Sequence, residues 1–99
     1  MGSDATYIEE VRRIVLDGLK AYPARVMFFG SRAWGTEHRY SDVDVAIDSD
    51  EPIPAEAWLD LKERLEGSWV PYDVDLVNLR QAPETLRERV SSRGIIWRG

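Results

Sequence analysis

The chain contains no cysteine. That excludes disulfides, thiolate metal sites and a cysteine nucleophile, and it suits a reducing cytoplasm, the expected location. Histidine is nearly absent too: His38 is the single one. With no cysteine or second histidine beside it, a zinc site lacks ligands, and an exposed loop side chain is expected. Ser91-Ser92 has no histidine base in context, so serine-hydrolase chemistry is unsupported. Long apolar runs are missing as well. None approaches the roughly 18 residues that span a bilayer, and no signal-peptide h-region is present, so no membrane contact is expected. The start of the chain, Met1-Gly2-Ser3-Asp4-Ala5-Thr6, formally fits a myristoylation pattern, but so permissive a match carries no argument. Positive charge is also scarce: 13 Lys and Arg against 18 Asp and Glu give a net charge of −5. Sequence-independent nucleic-acid binding depends on basic side chains neutralising phosphates, so no direct nucleic-acid partner is expected. A nucleotide needs only local positive charge and stays compatible with this balance.

What is there fits one soluble domain over residues 1–99, with 43% apolar and 31% charged residues and no internal repeat or linker. Four tryptophans exceed what a minimal core demands, and some of them suit a partner surface. Over residues 4–22, Ile8, Val11, Ile14, Val15 and Leu19 recur at helical spacing. The expectation is an amphipathic helix capped by Asp4 and ended by Pro23. Residues 25–29 read as a buried strand stopped by Gly30, and residues 30–41 as a loop. Residues 42–48 alternate, with Asp42, Asp44, Ala46 and Asp48 on one face and Val43, Val45 and Ile47 on the other, so a strand buried on its apolar side is expected. Pro54 opens a helix with a Trp58, Leu61 and Leu65 stripe that ends at Gly67. Residues 70–79 read as a third strand. Residues 83–93 form a polar helix buried at Leu86 and Val90, on which Arg87, Arg89 and Arg93 make a solvated face. Residues 95–97 are a last strand.

The chemistry concentrates in two of these strands. Residues two apart on a strand point the same way with Cα atoms roughly 6.5–7 Å apart, so Asp42 and Asp44 converge on one site. Neighbouring carboxylates repel, and a divalent cation held by oxygen ligands with room for water and phosphate, Mg²⁺ by preference, relieves that. Asp73 and Asp75 repeat the pattern. A third carboxylate from a neighbouring strand completes a site for in-line displacement at phosphorus. Just upstream, Gly30 permits close backbone approach. Ser31 offers a hydroxyl and, if a helical turn opens there, N–H groups for an anion. Arg32 and Arg39 can add charge-assisted bonds to phosphate.

Gly30-Ser31, ten intervening residues and Asp42-Val43-Asp44 resemble the signature of the DNA polymerase beta nucleotidyltransferase superfamily. The fuller string from Gly30 through Arg32, Ala33, Gly35 and Ser41 to Asp44 resembles its minimal nucleotidyltransferase branch, and Val74-Asp75-Leu76-Val77-Asn78-Leu79 resembles that branch's third-carboxylate strand. The resemblance covers nearly the whole chain. It implies an α/β (α+β) core, a small mixed sheet of about four strands with helices packed on it, and a Mg²⁺-dependent site with ATP as donor. By residue, it implies that Asp42, Asp44 and Asp75 bind metal and carry catalysis, with Asp73 as the fallback for Asp75. Gly30 and Ser31, with Arg32 beside them, hold the triphosphate. Trp34 departs from the branch, where a basic residue is frequent, and reads as packing. Members of the branch are commonly antitoxins of HEPN-domain ribonuclease toxins, and some transfer AMP to a toxin tyrosine. The implied activity is therefore a protein adenylyltransferase acting on a HEPN partner. Two other readings stay open: a module that neutralises its partner by docking alone, and a transferase for a small hydroxylated molecule such as an aminoglycoside.

Overall fold

The computed structural model describes residues 4–30 and 43–99. Helix α1 (Asp4–Gly18) leads into strand β1 (Ala24–Phe29), and β2 (Val43–Ser49) follows. After α2 (Ala55–Glu66) come β3 (Val74–Asn78), a 3₁₀ turn (Leu79–Gln81), α3 (Glu84–Arg93) and β4 (Ile95–Arg98). The order of elements is the one expected from periodicity. The four strands make one mixed sheet in the order β3-β2-β1-β4. β1 runs antiparallel to both β2 and β4, whereas β2 and β3 are parallel. Parallel neighbours need a crossover longer than a hairpin turn, and α2 supplies it.

Each face of the sheet carries its own apolar cluster. Val11 and Val15 of α1, Leu19 just after it, and Leu61 and Leu65 of α2 pack on Val26, Phe28, Val43, Val45 and Ile47. On the opposite face Val90 of α3 and Leu79 cover Phe29 and Ala46, with Met27, Val77 and Leu86 around them. The apolar stripes read along α1 and α2 are therefore the faces that seat on the sheet. One expectation needs correcting here. β2 is buried on both sides, because α3 lies over Ala46 on the carboxylate face, and only part of that face remains for chemistry. Asp48, farther along the same face, is taken by an ion pair with Arg25 at 2.9 Å.

α1 ends at Gly18 rather than near Pro23. A Cβ at Gly18 would come within 2.4 Å of Leu61 Cδ2, so the two helices cross with no room for a side chain there. Arg98 then gathers the carbonyls of Leu19, Tyr22 and Ala24, its guanidinium donating to them at 3.3, 2.6 and 2.8 Å. That bracket fixes the α1–β1 turn from 74 or more residues away in sequence, beyond any local signal. The third strand begins at Val74, not at residue 70. Pro71 has no N–H for a ladder, and the Val70 N–H instead donates to Ser68 Oγ at 3.3 Å. Arg87, expected on a solvated face, donates to the Leu79 carbonyl and ties α3 to the 3₁₀ turn. Trp97 stacks on Phe28 with centroids 5.3 Å apart, and Trp69 is 55% exposed beside Tyr7. No described helix is long and apolar enough to cross a membrane.

Across the helix pair, Arg64 of α2 donates to Asp17 of α1 at 2.8 Å and also meets Asp60 at 2.9 Å. The bond from Arg64, with the nearby Lys20 charge, holds the Asp17 carboxyl below its ordinary range. A depressed carboxyl adds stability above its unfolded pKa and loses it as pH falls through the folded value. Arg64→Gln should therefore move the Asp17 midpoint upward in a carboxyl-carbon NMR titration. The variant and the parent should converge in stability in strong acid, where Asp17 is protonated in both.

Candidate active site

The site begins with the strand register. Asp44 is the direct partner of Asp75 in the parallel β2–β3 pair. Residues opposite one another on adjacent strands share a face, and the strands stand about 4.8 Å apart. Two carboxylates from segments 31 positions apart in sequence are thus set side by side. Asp44 is half-buried and Asp75 exposed. α3 covers this face at Ala46 and Val77, one pleat repeat further along, so the pair sits where the helix cover stops.

The third component comes from β1. Phe29 pairs with Asp44 in the antiparallel ladder, so the residue after it lies against the carboxylate. That residue is Gly30, whose φ is 90°, the only positive φ among the described residues. A Cβ there would fall 2.1 Å from Asp44 Oδ2 and 3.0 Å from its Cγ. Both the backbone conformation and the contact admit only glycine. The end of β1 therefore presses its backbone directly on one carboxylate of the pair.

Of the residues expected at the site, Gly30, Asp44 and Asp75 are brought together by these three strands. Ser31, Arg32 and Asp42 lie outside the described residues, as do Trp34, His38 and Arg39. Asp73 is exposed and precedes β3, and its carbonyl accepts the Val43 N–H at 3.0 Å. The register sets Asp75, not Asp73, opposite Asp44. Among the described residues no group of three or more His, Cys, Asp or Glu side chains suffices to hold a metal. Asp44 and Asp75 offer two oxygen donors, and the third expected ligand is Asp42. An all-oxygen set that keeps like charges adjacent fits a hard divalent cation such as Mg²⁺.

Arginines missed as structural elements by sequence reasoning cluster at the other end of the sheet. Arg80 donates to the carbonyls of Ser49 and Asp50 at 3.2 and 2.5 Å, and Arg25 reaches Asp48 and Asp50. The β1–β2 register pairs Arg25 with Asp48 and Phe29 with Asp44, so this cluster is separated from the carboxylate pair along the strands.

Comparison with known proteins agrees with the mixed-sheet fold. Residues 17–97 match the family model described as polymerase beta, nucleotidyltransferase. The chain is 38% identical over 69 residues to the protein adenylyltransferase MntA of Shewanella oneidensis, covering 70% of this chain and 49% of that protein. It is 43% identical over 63 residues to the MntA protein of Haemophilus influenzae, covering 64% and 55%. The chain thus spans about half the length of the curated relatives it matches. Among solved structures, a minimal nucleotidyltransferase superposes with a TM-score of 0.74 at 31% identity, covering 94% of this chain and 95% of the other. A chain from a toxin–antitoxin crystal structure with AMP-PNP gives 0.69 at 31% identity, covering 89% and 73%. A chain from the Shewanella oneidensis complex of a tri-AMPylated HEPN toxin with its MNT antitoxin gives 0.64 at 26% identity, covering 92% and 71%.

Proposed function

Because the chain belongs to the polymerase beta nucleotidyltransferase family, we propose that it transfers AMP from ATP, with Mg²⁺, to a tyrosine hydroxyl of a HEPN-domain toxin and acts as that toxin's antitoxin. The observation that carries the reading is the Asp44–Asp75 register with Gly30 against Asp44. Similarity to protein adenylyltransferases and to an antitoxin chain bound to an AMPylated HEPN toxin supports the acceptor class. ATP as donor and the absence of cysteine suit a cytoplasmic setting.

In this mechanism Asp42, Asp44 and Asp75 would hold the cation, and Gly30, Ser31 and Arg32 would hold the triphosphate. Bound Mg²⁺ supplies charge neutralisation and orientation of the phosphates. The acceptor oxygen forms a bond to the α-phosphorus, the bond from that phosphorus to the β-bridging oxygen breaks, and pyrophosphate leaves. Asp75, exposed on the edge strand, takes the hydroxyl proton. Asp44, half-buried and fixed by the Gly30 backbone, has the more rigid role of holding the donor.

Incubation of purified protein with its HEPN partner, Mg²⁺ and labelled ATP tests the reading. Label should appear on the partner from α-labelled but not γ-labelled ATP. No transfer from either, with the parent and Asp44→Asn neutralising the toxin equally well, would leave docking as the function. Transfer to an aminoglycoside without a protein acceptor would favour the small-molecule alternative. The same assay separates the two candidate third carboxylates. Asp75→Asn should slow transfer by about 10²–10⁴-fold, the range for loss of a positioned proton acceptor, whereas Asp73→Asn should cost less than about tenfold. Equal losses would mean that the register does not select the catalytic carboxylate.

A further inference from the structure

β3 is at the end of the strand order, so its outer side is a sheet edge that no other described strand pairs with. The ladder to β2 sets which backbone groups face which way. The Val43 N–H reaches the Asp73 carbonyl, and Val43 is the register partner of Val74. In a parallel ladder with that phase the odd-numbered residues of β3 use their N–H and C=O groups on β2. Val74 and Leu76 turn theirs outward, on either side of Asp75. An exposed edge of this kind is a template for an added strand.

Two open grooves lie beside the same edge, both on the α2 face. One, of about 370 Å³, is lined by Lys62, Leu65 and Glu66 of α2 and by Val70, Tyr72 and Val74. The other, of about 500 Å³, is lined by Trp58 of α2 and by Leu76. Val74 and Leu76 pack with the α2 face, whereas Asp75 points to the opposite face with Asp44. Side chains alternate along a strand, so a strand laid on β3 would present one residue beside Asp75 and its two neighbours over the grooves.

We propose that the acceptor binds as an extended segment that adds to the outer edge of β3, with its acceptor tyrosine opposite Asp75 and apolar side chains at the two flanking positions entering the grooves beside α2. The proposal rests on the transfer reading, because the hydroxyl must reach Asp75. The other sheet edge, β4, exposes Ile95 and Ile96, but β1 and β2 stand between it and Asp75. The β3 edge is the one that brings an added strand to the carboxylates. Specificity then lies in the residues flanking the tyrosine, and backbone pairing orients the segment whatever its remaining sequence.

The test uses an acetylated nonapeptide of threonines with a central Ile-Tyr-Ile, and a control in which both isoleucines are glutamate. Water-exchange NMR on the whole chain reads each amide, with Mg²⁺ and α-labelled ATP added in a parallel sample. Saturating Ile-Tyr-Ile peptide should slow exchange of the Val74 and Leu76 amides at least tenfold. Asp75 and Val77, already bonded to β2, should change little, and the glutamate control should bind at least tenfold more weakly. Label on the peptide with the Val74 and Leu76 amides unaffected would overturn edge docking while leaving transfer intact. Protection of those amides with no label on the peptide would overturn the acceptor role together with the transfer reading and leave the β3 edge as a strand-binding site alone. Neither protection nor label would overturn the docking proposal.

Discussion

Asp44→Asn is expected to lower AMP transfer by about 10³-fold or more while leaving the fold in place. The side chain keeps its shape but loses the charge that would pair with the proposed cation. Charge stabilisation by a bound metal is worth several kcal/mol of barrier, and each 1.36 kcal/mol is tenfold in rate. Stability should move little, because asparagine keeps the side chain's size and an accepting oxygen, and removing one of two adjacent like charges relieves repulsion. Melting by circular dichroism and single-turnover transfer, measured on the same preparation, check both halves. A variant that melts far below the parent would assign Asp44 a folding role and leave its activity loss uninformative.

Gly30→Ala should damage the same site by a different route. The added Cβ meets Asp44 Oδ2 at 2.1 Å, and the φ of 90° is one that alanine adopts only with strain. The left-handed backbone costs roughly 1–2 kcal/mol, which lowers the melting temperature without unfolding the chain. The clash itself is relieved most cheaply by rotating the Asp44 carboxylate away, since its oxygen is the far end of a side chain. That movement is what the site cannot tolerate: a misplacement of about 1 Å can cost 10²-fold in rate. The expected result is a transfer loss of about 10²-fold or greater with a moderate fall in stability. Gly67→Ala is the control, because Gly67 has an ordinary φ of −84° and lies at the end of α2. Equal activity in Gly30→Ala and the parent would show that the β1 terminus does not set the carboxylate.

Periodicity carried much of this structure, because burial imposes it. The stripe Val11, Val15 and Leu19 and the alternation through Val43, Val45 and Ile47 can be satisfied in only one way each, and both appear as read. Partner choice between strands leaves no such trace. The sequence contains Asp73 and Asp75 at equal parity; spacing does not separate them, the family resemblance favours Asp75, and the β2–β3 register sets Asp75 opposite Asp44. The two-sided burial of β2 was hidden for a related reason. Ala46 is small and sits among aspartates, so nothing local announces that Val90 will cover it. Long-range polar brackets were equally invisible: Arg98 on the α1–β1 turn and Arg87 on the Leu79 carbonyl look in sequence like ordinary surface cations. Gly30 was legible as a point where the backbone could come close to a ligand. That Asp44 is what approaches it required the antiparallel register of β1 with β2.

Asp44 and Asp75 would together form one metal-and-nucleotide site across two parallel strands. Crystals grown with AMP-PNP and Mn²⁺, which accepts the same oxygen ligands as Mg²⁺ and scatters anomalously, test that directly. An anomalous peak bonded to carboxylate oxygens of both residues and to the triphosphate, with the phosphates against the Gly30 backbone, is the predicted result. A metal and nucleotide bound elsewhere, or held with Asp75 turned away from both, would contradict it.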